Sequence, residues 1–214
     1  MTPELVWFKR DLRVVDHSPL VAAARRGPVL CLYIYEPDIM AAEDFSSRHL
    51  LFINDSLRDL DAALRKRGSR LLIRSGEAVA VLMRLHEETG FRRIRVHQET
   101  TNAVSFERDL RVLSWASSAG VDVVEYRQQG VVRRLRSRNG WAGQWQAFVA
   151  SPLVPAPRSL VDAGPLLPSE ALRDPRECGL EDDGLRQRQT GGEASGTQVL
   201  RDFLKVRSRD YIGG

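Results

Sequence analysis

Two cysteines, Cys31 and Cys178, are all that the 214 residues hold, which excludes a disulfide framework. Cys31 sits in an apolar run and reads as a small buried hydrophobe. A reducing, cytoplasmic setting is the expectation. No apolar run approaches the length of a membrane span. The opening Met-Thr-Pro-Glu has no basic segment leading into an apolar core, so no secretory leader is expected. Residues 9–16 contain no glycine, so the backbone cannot approach a pyrophosphate there as a dinucleotide fingerprint requires. Neither a Walker-type phosphate loop nor a Gly-x-Ser-x-Gly nucleophile turn occurs. The four histidines, His17, His49, His86 and His97, are scattered without zinc-ligand spacing, so no metal is expected. Lysine occurs only at 9, 66 and 205. The formal charge of +4 is compatible with nucleic acid without requiring it.

What is present reads as a globular chain, 43% hydrophobic and 28% charged. Leu5–Phe8 is a short apolar run broken at once by the charged turn Lys9-Arg10-Asp11-Leu12-Arg13, and it reads as a buried strand. Residues 28–35 form a second, rich in β-branched and aromatic residues, as a strand covered on both faces should be. Residues 70–74, 93–97 and 121–126 complete five strands. Between them, helical spacing predicts helices over 18–26, from Ser46/Ser47 to Gly68, over 77–88, and along a face of Ala103, Phe106, Leu110 and Leu113. His86 lies on an apolar helix face and reads as a satisfied core histidine. This alternation predicts an α/β fold, a Rossmann-like doubly wound parallel sheet of order 3-2-1-4-5. It occupies residues 1–130. Residues 131–196, basic at Arg133–Arg138 and then rich in proline, glycine and charge through Glu181-Asp182-Asp183, read as an irregular linker that lies over a surface or is partly disordered. Within it Trp141, Trp145 and Phe148 share one side of a short helix. An amphipathic helix over 197–209 carries Val199, Leu200, Phe203 and Leu204. It is expected either to fold back on the α/β domain or to pair with a second copy as a homodimer.

In such a sheet ligands sit at the carboxyl ends of the strands, where strand order reverses. The groups expected there are Lys9, Arg10 and Asp11 after the first strand, Tyr35 and Glu36 after the second, and His97, Gln98 and Glu99 after the fourth. This polar set with one aromatic suits a flat heteroaromatic ligand. The same groups would equally serve to salt-bridge the turn and fill the crevice themselves.

Trp7-Phe8-Lys9-Arg10-Asp11-Leu12-Arg13-Val14-Val15-Asp16-His17 resembles the opening signature of the DNA photolyase and cryptochrome family, with Lys9 in place of the usual arginine and His17 in place of the usual asparagine. Further similarity runs through Tyr35-Glu36-Pro37-Asp38, Gly68–Gly76, Arg108-Asp109, and Gly191-Gly192-Glu193 with Leu200, Phe203, Leu204 and Tyr211. The resemblance implies the antenna-chromophore half of a light-driven repair enzyme for pyrimidine dimers, truncated before the helical FAD domain and not catalytic alone. It implies an antenna chromophore, a deazaflavin rather than a folate, because Val104 and Ser105 stand where the folate-binding acid is usual. DNA would be reached only through the helical domain. The other readings are a free-standing α/β module for a small molecule or partner, and a relative of electron-transfer flavoproteins or stress proteins, which the missing glycines disfavour.

Overall fold

The computed structural model describes residues 2–133, 135, 137–181, 184, 187–209 and 211. The expectations for Arg134, Arg136, Asp182, Asp183 and residues 212–214 fall outside them.

Five parallel strands, β1 (Glu4–Phe8), β2 (Val29–Tyr35), β3 (Leu71–Ser75), β4 (Arg93–His97) and β5 (Asp122–Tyr126), form one sheet of order 3-2-1-4-5, as expected. The helices α1 (Ser18–Ala24), α3 (Ser47–Arg65), α4 (Ala78–Thr89) and α5 (Ala103–Ser118) supply the crossovers. Alternate residues of each strand feed two cores. Val6, Phe8, Cys31, Tyr33 and Ile73 pack with Leu20 of α1 and Leu50, Leu57, Leu60 and Leu64 of α3. Leu5, Trp7, Leu32, Ile34, Leu72, Ile94 and Val96 pack with Val81, Leu82 and Leu85 of α4 and Val112 and Ala116 of α5. This two-sided cover is why β1 and β2 read as unbroken apolar runs. His86 is hydrogen-bonded as expected but half-buried rather than in the core, with Nδ1 2.7 Å from the Phe91 carbonyl and its ring against Phe91 and Trp115.

After β2 ends at Tyr35 a one-turn helix, α2 (Pro37–Met40), follows, with proline in its first turn where no N–H is needed. Two expectations are corrected. Phe106, Leu110 and Leu113 do share a face of α5, but it points outward, while Ser105, Arg108, Asp109, Val112 and Ala116 are buried. The first turns of α5 meet the charged ends of the strands, where ion pairs rather than apolar contacts satisfy a buried side chain. The second correction concerns the C-terminal helix, α7, which spans Glu193–Lys205 and starts four residues earlier than expected, after Gly192 at φ 107°. Its beginning folds back on α3, with Gly192 N–H donating to Ser56 Oγ at 3.0 Å and Ala194 N–H to Asp59 Oδ2 at 3.2 Å. Much of the linker follows the first of its two expected readings and lies over a surface, tied down there. Leu160 is buried and its N–H donates to the Arg67 carbonyl at 2.6 Å. Ser169 and Glu170 lie along β3, the edge strand. The outward N–H groups of β3 donate to Asp61 Oδ1 (from Leu71, 2.9 Å), Ser169 Oγ (from Ile73, 2.9 Å) and Glu170 Oε1 (from Ser75, 3.0 Å). The expected short helix is present as α6 (Trp141–Val149). Among the described residues no helix is long and apolar enough to cross a membrane.

Candidate functional site

Strand order reverses at β1, which lies between β2 and β4, and the charged turn after β1 is fixed from beneath. Asp11 is buried. Its Oδ1 accepts the Lys9 N–H at 2.8 Å, and its Oδ2 contacts His17 Nε2 at 2.8 Å and His97 Nδ1 at 2.5 Å. His17 Nδ1 accepts the Leu20 N–H at 3.1 Å, capping α1. That contact leaves the His17 proton on Nε2, which donates to Asp11, and His97 must likewise donate from Nδ1. Burial opposes ionisation of Asp11, but the two imidazole donors overcome it and hold the carboxyl well below its usual range. Burial pushes His17 down, against the pull of Asp11. The three ligand-type atoms lie within 4.8 Å of one another, but the contacts have N–H···O lengths, and the set is accounted for as a hydrogen-bonded clamp.

Above the clamp lies a buried ion network. Lys9 Nζ donates to Asp109 at 3.0 Å, and Arg108 Nε to Asp109 at 2.8 Å. Arg108 also pairs with Glu36 and, at 3.5 Å, with Glu99. The guanidinium stacks over Trp7, 4.8 Å from the ring centre. Arg133 reaches the Glu99 carbonyl at 3.0 Å and Glu125 at 2.6 Å, tying the segment after β5 to the site. Glu36, Glu99 and Asp109 thus share Lys9, Arg10, Arg108 and Arg133. Burial pushes the Glu36 carboxyl up to about 7, against Arg108 and Lys9.

That shift makes a pH prediction. An ordinary glutamate ionises near 4.5, so between 4.5 and about 7 the folded chain keeps a proton that the unfolded chain has lost. This contribution is full below 4.5 and is lost as pH rises through 7. Glu36→Gln, which cannot ionise, should therefore gain stability relative to the native chain on going from pH 5 to pH 8, by on the order of 2 kcal/mol. Thermal midpoints of both proteins at the two pH values check it; a gap that stays constant or shrinks would remove the raised value.

A cavity of about 670 Å³ opens over these ends. One wall comes from the ends of β1 and β2 and the turns after them with Phe8, Lys9, Arg10, Tyr35 and Glu36; a second from α2, α3 and the turn between them with Ile39, Met40, Phe45 and Ile53; a third from Gly192 and α7 with Glu193, Gly196 and Leu200. Glu193 latches α7 across the opening, its carboxylate accepting the Val14 N–H at 2.9 Å and the Val15 N–H at 3.2 Å. Of the residues expected at the site, Lys9, Arg10, Tyr35, Glu36 and Glu99 line the cavity. Asp11 and His97 lie beneath it as the clamp, and Gln98 lies off the lining. Tyr35 hydroxyl donates to Asn54 Oδ1 at 2.5 Å, so its outer end is already held. Sequence reasoning missed Arg108, whose signal was the spacing 105, 108, 109, 112, 116 of buried positions, and it missed α7 as a wall.

Residues 4–142 match the family model for DNA photolyase. The chain belongs to that family. It is 28% identical over 232 residues to the deoxyribodipyrimidine photo-lyase of Streptomyces griseus, covering 100% of this chain and 49% of that protein. It is 30% identical over 231 residues to cryptochrome-1 of Arabidopsis thaliana, covering 97% of this chain and 32% of that one. The crystal structure of a bacterial class III photolyase from Agrobacterium tumefaciens superposes with a TM-score of 0.76 at 26% identity, over 95% of this chain and 44% of the other. An archaeal photolyase from Sulfolobus tokodaii, described as holding two FAD molecules with the implication of a novel light-harvesting cofactor, shares the fold (TM-score 0.73, 23% identity, 98% and 48% covered). This photolyase-family chain spans half or less of the length of each of these proteins.

Proposed function

We propose that this photolyase-family chain is a light-harvesting unit, whose cavity holds a flat conjugated chromophore of the flavin or deazaflavin class. The carrying observation is the cavity at the switch point. Its volume of about 670 Å³ falls within the range of about 300–1,000 Å³ typical of small-molecule sites, and its lining alternates aromatic and apolar groups with charge at the β1 end. Those residues fit a three-ring chromophore. Phe8, Phe45, Ile39, Met40 and Ile53 would exclude water from its faces, and the Lys9–Glu36–Arg108 side would meet its polar edge. When bound, the chromophore supplies light absorption and passes its excitation to a second flavin. The chain's residues bind and orient it and make or break no bond. DNA would be met by parts of the protein other than this cavity.

Gly196 offers the test. It lines the cavity, and a Cβ there would meet nothing within 4 Å. Gly196→Leu should therefore keep the fold, because glycine is a poor helix former by up to about 1 kcal/mol. The leucine would intrude into the cavity. Titration with riboflavin, read by quenching of its fluorescence, is expected to show binding to the native chain and at least about tenfold weaker binding to the variant, with no fall in thermal midpoint. Riboflavin binding that ignores the substitution would place the ligand elsewhere. Absence of flavin binding, with capture of a colourless small molecule instead, would favour the α/β binding module without a photochemical role.

A further inference from the structure

The charges around the cavity are nearly all committed. Lys9 is bound to Asp109 at 3.0 and 3.3 Å. Arg13 donates to the carbonyls of Val15 and Asp16 at 3.1 and 2.7 Å. Arg108 is taken by Glu36, Glu99 and Asp109. The carboxylates are equally engaged. Glu193 holds two backbone N–H groups, Asp16 the Val154 N–H, Asp44 the Asn102 amide, and Glu99 the Thr100 N–H and Thr101 hydroxyl.

Arg10 is different. It lines the cavity directly after β1, its side chain is 52% exposed, and its ion pair to Glu99 Oε1 is long, 3.9 Å from Nε. Among the described residues it makes no hydrogen bond. The backbone beneath it is rigid, because Lys9 N–H and the Asp11 side chain are locked by the clamp. A guanidinium on a fixed backbone, with its donor fork free, is suited to bidentate contact with a phosphate.

We propose that Arg10 is a specificity-determining residue of this cavity and selects a chromophore whose side chain carries a phosphate over the same ring system without one. The inference rests on the flavin-class reading of the cavity. The unphosphorylated ring system is then the weaker ligand, bound by the apolar walls and the polar edge without the phosphate contact.

The experiment compares FMN with riboflavin by fluorescence titration of the full chain, at low and high sodium chloride. The native chain is expected to bind FMN at least about tenfold more tightly, as one charge-assisted contact supplies, and the preference should narrow as salt screens the charge. Arg10→Gln should bring the ratio of the two affinities close to one, and Arg10→Lys should retain part of it. Equal affinities for both ligands in the native chain overturn the role of Arg10 while leaving the flavin reading in place. A preference that persists undiminished in Arg10→Gln assigns the selection to another group and also overturns it. Failure of both ligands to bind overturns the inference together with the reading beneath it.

Discussion

Asp11→Ala is expected to destabilise the chain by about 3–5 kcal/mol, the usual consequence of removing one member of a buried, mutually satisfied polar set. Three donors lose their acceptor together: the Lys9 N–H, His17 Nε2–H and His97 Nδ1–H. Each donor left buried without a partner costs about 1–3 kcal/mol. His17 and His97 are themselves buried, away from the bulk solvent that would otherwise take the acceptor's place. Against a total stability of about 5–15 kcal/mol, the loss is a large share. Urea unfolding followed by far-ultraviolet circular dichroism checks it, with Asp11→Asn as control. The amide keeps one acceptor oxygen but turns an N–H₂ toward groups that also donate, so an intermediate loss is expected. A loss under 1 kcal/mol for alanine would mean that the clamp is not holding the turn. The pH dependence of the clamp runs opposite to that of Glu36. The depressed Asp11 carboxyl stabilises the fold above pH 3.8, its ordinary value, and this is lost as pH falls through its lower folded value. His17, ordinarily protonated below 6.5 but pushed down by burial, also makes the fold less stable as pH falls below 6.5.

Gly191→Ala is expected to lift α7 from the cavity with little change in the sheet. A Cβ at Gly191 would stand 2.1 Å from the Phe52 carbonyl oxygen and 2.5 Å from Ser56 Oγ. The first of these is backbone in the middle of α3, so it is the glycine segment that must give way. The shift breaks the Gly192–Ser56 bond and carries Glu193 away from the Val14 and Val15 N–H groups. With one wall displaced, riboflavin affinity should fall at least about tenfold, and trypsin should cut within residues 193–205 more rapidly. The sheet and the two cores are built without α7, so the main unfolding midpoint should move little. Unchanged proteolysis and unchanged flavin affinity would show that α7 does not close the cavity.

β1 and β2 were legible because burial on both faces leaves an apolar run, and the strand order is the doubly wound one expected from the alternation of strands and helices. α5 misled because the rule that apolar means inward fails where a helix meets charged strand ends: Arg108 and Asp109 are inside and Phe106 is outside. The clamp was half legible. Asp11 and His97 were both placed at the strand ends, but their direct bond spans 86 positions, and His17 joins them from the start of a helix. The third wall of the cavity was legible only in part: an amphipathic helix folding back on the α/β domain was one of two expected outcomes, but neither its start at Glu193 nor its place over the cavity was. It depends on the contact of Gly191 and Gly192 with α3, some 136 positions earlier, and local spacing carries no sign of such a contact.

The strip of chain that runs beside β3 has a consequence for the life of the protein in solution. A parallel sheet ends in a strand whose outward amides would recruit any extended peptide, including another copy of the same strand. Here Asp61, Ser169 and Glu170 occupy those amides, and two of the three come from an irregular segment held by Leu160, Ala163, Leu167 and Leu172 against the domain's cores and by a few side-chain and backbone bonds. A nick between Leu160 and Glu170 would release the cover without unfolding the sheet, leaving Leu71, Ile73 and Ser75 as a template for end-to-end growth. Resistance of this protein to aggregation is then set by the integrity of an irregular strip, and its weakest point is a peptide bond far from any chemistry.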